Sequence, residues 1–170
     1  GEGGKERSRA GIGVGAGGRN WSASGLFDRV FWLGDLNYRI DAKRPEVLKC
    51  VVEGRRAELV PLDQLCTQRR VAGVFSGYRE APLAFDPTFK YDTWSDTYDT
   101  SAKQRIPSWT DRVLYRTPPG QYESITPTAY TATMEIRASD HKPVAGCFDV
   151  HVNVADQARG PKPSTLNPTP

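Results

Sequence analysis

The 170-residue chain has no long hydrophobic run: its longest is Val30 to Leu33, far short of the roughly 20 apolar residues that a membrane-spanning helix needs. A transmembrane helix is therefore excluded. The first residues also hold no apolar stretch like the core of a secretory signal. Cysteine is scarce, and Cys50, Cys66 and Cys147 are widely separated with no CxxC pair. That spacing suggests neither a zinc site nor a disulfide scaffold, and the three are read as small apolar residues in a reducing cytosol. No GxxxxGK[ST] loop occurs, which sets aside phosphate binding of the nucleotide P-loop kind. No internal repeat is visible.

Excess charge is lacking too, once it is located. The formal net charge is +3, but residues 1–25 hold four basic and two acidic residues and residues 155–170 hold two basic and one acidic. The 17 basic and 17 acidic residues between them cancel. A general nucleic-acid footprint needs clustered positive charge, so no nucleic-acid partner is expected and any anion site must be local.

What is present is the composition of an ordinary globular protein, 38% apolar and 25% charged. Residues 1–25 contain nine of the 16 glycines and too little apolar surface to offset the entropy of ordering them, which predicts a disordered leader. Residues 155–170 carry four prolines without apolar periodicity and predict a flexible tail. One folded domain is expected over residues 26–154.

Within it, Arg29 to Leu33 reads as a strand buried on both faces and ended by Gly34. Pro45, followed by Val47, Leu48, Val51 and Val52, predicts a helix that runs to Gly54. A second helix is expected over Leu62 to Arg70, with Leu62, Leu65 and Cys66 on one face and Gly73 beyond its end. Phe75 to Arg105 has no sustained period and reads as a long structured loop, a type of segment that usually carries function. Strands are expected at Arg112–Arg116, Ser124–Thr131 and Lys142–Val152. The order favours an α/β fold.

Four segments could carry chemistry. In WLGDLNYR, Asp35 and Asn37 stand just past a strand end, where α/β proteins place ligand-binding groups. Asp35 could take a proton from water and Asn37 could donate to an oxyanion; equally, both could satisfy their own backbone in a polar turn. In PSWTDRVLYR, Asp111 precedes an apolar strand, either near the first site or paired with Arg112 or Arg105. In SDHKPV, His141 suits proton exchange or contact with a phosphoryl oxygen, and Asp140 could orient it or hold a metal's water shell. The other histidine, His151, reads as a structural residue of the terminal strand. In PTFKYD and YDTSAKQR, Lys90, Lys103 and Arg105 could form a phosphate clamp between aromatic flanks or could be solvated surface charge.

Together and in this order, the four segments resemble the inositol polyphosphate 5-phosphatases, particularly the synaptojanin and OCRL-like branches, over Phe27 to Val152. GDLN and SDH would fit the wider nuclease and phosphatase superfamily; DPTFKYD, YDTSAKQR and PSWTDR point to the inositide branch. The resemblance implies a DNase I-like four-layer α/β sandwich with two face-to-face sheets, of which this chain would hold the C-terminal half only. It implies magnesium-dependent removal of the 5-phosphate from phosphoinositides or inositol polyphosphates. Asp35 would then activate water, Asn37 would orient it and stabilise the transition state, and His141, supported by Asp111, would contact phosphate. Asp140 would lie close to Mg2+, and Lys90, Lys103 and Arg105 would hold the ring phosphates. Phe89 stands where a tyrosine often precedes that lysine.

The family also carries, upstream of GDLN, a metal-binding glutamate and a further histidine. Here only Glu2 and Glu6 precede Asp28, and no histidine precedes His141. The expectation is accordingly a partial catalytic domain, weakly active or inactive and marginally folded alone. Its expected location is cytoplasmic, with peripheral contact to membrane lipid head groups. The alternatives are a catalytically inactive inositide-binding or scaffolding module and a metal-dependent nuclease of the same superfamily.

Overall fold

The computed structural model describes residues 27–152. The predicted leader (1–25) and tail (155–170) lie outside the described residues. Strand β1 spans Val30–Asp35 and is followed by helix α1 (Arg44–Val52), two short 3-10 turns (Arg56–Glu58 and Val60–Leu62) and helix α2 (Gln64–Val71). Strands β2 (Tyr78–Glu80), β3 (Asp111–Arg116), β4 (Ile125–Ala132) and β5 (Val144–Val150) complete the order.

Two antiparallel sheets form, one ordered β1-β3-β2 and the other β4-β5. They meet through aromatic rings. Phe148 of β5 packs at 5.0 Å from Phe31 of β1 and 5.2 Å from Tyr115 of β3, separations at which edge-on and tilted aromatic pairs attract. Gly146 leaves room for that ring, since a Cβ there would come within 2.7 Å of it. Pro45 begins α1, and the Glu46 carboxylate accepts the Lys43 N–H at 3.4 Å. The helix buries Val47 in a core with Ile40, Leu59, Leu83, Phe85 and Trp109, against which Tyr130, Ala132 and Val144 of the second sheet pack. The fully buried Trp109 donates its indole N–H to the Phe85 carbonyl at 3.0 Å.

Several expectations need correcting. The strand expected over Arg29 to Leu33 runs instead from Val30 through Gly34 to Asp35, and it is not buried on both faces: Trp32 is 48% and Leu33 66% exposed, with β1 at the end of the sheet order and paired, among the described residues, on one side only. Val52 points outward rather than into the core. The second helix starts two residues late, at Gln64, because Asp63 caps it by accepting the Cys66 N–H at 2.9 Å. Leu62 falls outside it and is exposed. The long loop contains a strand, β2. The last strand is shorter than expected at both ends, and His151 lies beyond it, exposed, with its N–H on the Ser124 carbonyl. Cys147 is exposed rather than packed.

Candidate active site

Antiparallel pairing of β1 with β3 runs from Val30 opposite Arg116 to Asp35 opposite Asp111. Directly opposed residues share a sheet face, so the two strand-end aspartates stand side by side. The Leu36 N–H extends the pairing to the Thr110 carbonyl at 2.8 Å. The chain then turns sharply. Gly34 has φ +134° and Asn37 φ +59°, conformations that glycine adopts freely and that asparagine tolerates better than most side chains. The turn carries the Asn37 N–H back onto Asp35 Oδ1 at 2.8 Å.

The PTFKYD segment forms a strip between the other two motifs. Phe89 exchanges backbone hydrogen bonds with Ser108 at 3.1 and 2.7 Å, while the Lys142 N–H bonds the Thr88 carbonyl and the Tyr91 N–H bonds the Asp140 carbonyl. This brings Thr88, Asp111 and His141 together. Asp111 Oδ2 accepts from Thr88 Oγ1, Thr110 Oγ1 and His141 Nδ1, each at 2.9 Å. A carboxylate acceptor puts the imidazole proton on Nδ1 and leaves Nε2 as the ring's other functional atom.

Arg39 joins the two halves of the cluster. Its guanidinium donates to Asn37 Oδ1, through Nε at 3.1 Å and through Nη2, and lies 4.4 Å over the Phe89 ring. The same ring stands 4.5 Å from the His141 imidazole. Burial first, then the neighbouring Arg105, draw the Arg39 guanidinium below its ordinary value, with Asp35 and Asp111 pulling the other way.

The basic residues divide into two groups. Lys103 and Arg105 line a pocket of about 380 Å³ with Arg39, Gln104 and Ile106. Their loop is anchored by the buried Asp99 carboxylate, which accepts the Arg105 N–H at 2.7 Å and the Ser101 N–H at 3.1 Å. Lys90 instead pairs with Asp140 at 3.3 Å, one residue along from Phe89 and His141. A wider pocket of about 700 Å³, lined by Arg29, Tyr122 and His151 among others, holds none of these groups.

Asp35, Asn37, Asp111 and His141 are thus brought into one cluster, with Lys103 and Arg105 on a rim that shares Arg39. Asp111 takes no ion pair from Arg112. That neighbour points to the opposite face of β3, fully buried, where its guanidinium meets Glu80 at 2.7 and 2.9 Å and Asp63 at 2.9 and 3.0 Å. Burial works to lower its pKa, but the two carboxylates outweigh this and raise it. Lys142, beside His141, is also buried, its ammonium on Ile136 O and Asp96 Oδ1 and 4.7 Å from the Tyr91 ring. Sequence reasoning missed Thr88, Thr110, Arg39 and this Arg112 network. The one available signal was the position of Arg39, Thr88, Thr110 and Arg112 inside the motifs already singled out; Asp63 and Glu80 lie outside them.

A family model described as Endonuclease/Exonuclease/phosphatase family 2 matches residues 11–147, a span that begins inside the predicted leader. The type II inositol 1,4,5-trisphosphate 5-phosphatase of Mus musculus is 41% identical over 131 residues, 76% of this chain and 13% of that protein. The inositol polyphosphate 5-phosphatase domain of SPsynaptojanin, solved with inositol (1,4)-bisphosphate and a calcium ion, is 39% identical with a TM-score of 0.63, over 72% of this chain and 36% of that one. Cimex nitrophorin, solved as a ferrous NO complex, is 33% identical with a TM-score of 0.67, over 74% of this chain and 42% of that one. This chain therefore spans less than half of each of these three chains. The two facing sheets, the ordered motifs and these similarities agree on a DNase I-like fold, and the chain belongs to endonuclease/exonuclease/phosphatase family 2.

Proposed function

We propose that residues 26–154 are part of the catalytic domain of a magnesium-dependent phosphomonoesterase that removes the 5-phosphate from phosphoinositides or inositol polyphosphates. The observation that carries this reading is the polar cluster in which Asp35 stands opposite the Asp111–His141 pair beside a basic rim. In-line attack on a phosphoryl group needs a base for water on one side and donors for the equatorial oxygens. Asp35 is the base and Asn37 donates through its amide nitrogen. His141, its Nδ1–H held by Asp111, offers Nε2 to a phosphate oxygen, as a donor when protonated. Lys103 and Arg105 receive the other ring phosphates, with Lys90 farther along the strip. A substrate carried on a membrane lipid would bring the rim into peripheral contact with head groups from the cytoplasmic side. Among the described residues, no helix is long and apolar enough to cross a membrane.

Among the described residues, no three His, Cys, Asp or Glu side chains cluster to hold a metal. Asp140 offers one hard oxygen donor, already shared with Lys90. A magnesium ion takes one or two carboxylates and fills its shell with water and phosphate oxygens; Asp140 would be this chain's contribution, and the ion would neutralise phosphoryl charge.

The likeness to Cimex nitrophorin favours a second reading, a module that binds inositol phosphates without turning them over, because this fold is not confined to proteins named as phosphatases. One assay separates the two. Phosphate release from inositol 1,4,5-trisphosphate is measured with magnesium, in this chain and in the longest polypeptide that carries it. The phosphatase reading expects release that falls by about 10³-fold or more in Asp35→Ala. Binding of the head group without release leaves the binding module, and neither binding nor release rejects both.

A further inference from the structure

An amide side chain has one accepting end and one donating end, and a guanidinium has donors only. Asn37 Oδ1 receives two of those donors, Nε and Nη2 of Arg39. The oxygen must therefore face Arg39, and the NH2 group is turned away from it; a flipped amide would set donors against donors. Arg39 is itself fixed from several sides. Its guanidinium lies over the buried Phe89 ring. Its backbone N–H donates to Gln64 Oε1 at 3.0 Å, and Gln64 Nε2 in turn donates to Asp41 at 2.7 Å.

We propose that Arg39 is a positioning residue whose two-pronged contact with Asn37 Oδ1, braced on the Phe89 ring, holds the Asn37 amide nitrogen toward the substrate phosphate. The proposal rests on the phosphatase reading for what that nitrogen touches, and on the site geometry alone for how it is held. Phe89 fits the same role: it carries no hydroxyl for substrate, and its ring lies within stacking distance of both Arg39 and His141. Arg39 also contributes charge to the pocket it shares with Lys103 and Arg105, so orientation and charge must be told apart. Lysine does this, since it keeps the charge but is a point donor that cannot reproduce the planar fork.

The experiment makes Arg39→Lys in the wild-type chain and in an Asn37→Ala background. Magnesium-dependent phosphate release from inositol 1,4,5-trisphosphate is followed alongside the ¹⁵N NMR signals of the Asn37 side-chain amide. Arg39→Lys should lower kcat by about tenfold or more, change KM by less than about threefold, and add nothing once Asn37 is alanine. The wild-type amide pair should stand away from the free-asparagine position and return to it in Arg39→Lys. Unchanged kcat, an effect on KM alone, or an effect that multiplies with Asn37→Ala overturns the proposal. If the wild type releases no phosphate, the phosphatase reading fails separately and the amide signals decide: a wild-type pair at the free position, or one unmoved by Arg39→Lys, overturns the positioning role, and displacement lost in the variant upholds it.

Discussion

Strands β1 and β3 are six residues each, hydrogen-bonded to one another along their whole length, and each has an apolar centre, VFWL in one and VLY in the other. Their fates differ. Arg112 to Tyr115 are all buried in β3, whereas Phe31, Trp32 and Leu33 of β1 are 38%, 48% and 66% exposed. The difference is one of place. β3 is the middle strand, flanked by β1 and β2, with Phe148 of β5 over Tyr115 on one side and the Arg112 network on the other. Among the described residues β1 is an edge strand of this sheet, and Phe31 of its run packs against Phe148. An apolar run thus states what a strand would gain from burial, and the neighbours decide whether it is buried. The same asymmetry reaches the site, where Asp111 grows from the buried strand and Asp35 from the exposed one.

The sharpest test of this contrast is Arg112→Met. It leaves the buried Asp63 carboxylate without its cation and Glu80 with only the longer contact to Arg69 at 3.7 Å, and removing one partner of a buried ion pair costs about 3–5 kcal/mol. Against a total stability of about 5–15 kcal/mol, urea denaturation should show a collapsed midpoint or no cooperative transition. Next comes a matched pair, Leu114→Ala and Leu33→Ala. Leu114 is fully buried, and its truncation should cost about 2–5 kcal/mol; the exposed Leu33 should cost less than about 1 kcal/mol. Equal losses in the same denaturation experiment would mean that β1 is covered in solution, and the contrast would fail.

Much of the candidate site was legible in the sequence because its residues fall in short motifs. Asp35, Asn37 and Asp111 converge because antiparallel pairing of β1 with β3 puts their strand ends at one edge, and the PTFKYD strip, bonded to Ser108 on one side and to residues 140–142 on the other, brings His141 to them. Helix α1 was legible from Pro45 and the valine spacing, and β3 to within one residue. The burial of β1 was not, since strand order is a long-range property that no local window holds. Arg112 and Lys142 were also invisible as core residues. A cation reads as surface until its partners are known, and those partners, Glu80 and Asp63 for one and Asp96 for the other, lie 32, 49 and 46 residues away. Thr88 and Thr110 looked like loop filler for the same reason, although both bond Asp111.

A smaller effect than that of Leu114 comes from the hydroxyl that ties β3 to the second sheet. Tyr130 donates to Glu80 Oε1 at 3.0 Å and accepts the Val113 N–H at 3.1 Å. Burial, helped by the Glu80 charge, raises its pKa above the ordinary tyrosine value. An acid whose pKa is raised by folding keeps its proton in the native state after the unfolded chain has lost it. Its contribution is therefore complete below the unfolded value of about 10 and is lost as pH climbs through the folded one. Tyr130→Phe should cost about 1 kcal/mol at neutral pH, the net worth of a buried hydrogen bond, and should flatten the alkaline fall in stability when urea midpoints are compared from pH 8 to 11. The buried Tyr91 and the half-buried Tyr98 have raised pKa values as well, so part of the alkaline slope should remain in the variant. A slope identical to that of the wild type would mean that Tyr130 ionises without hindrance. Its hydroxyl would then not be buried against Glu80, and β3 would be less enclosed than its contrast with β1 requires.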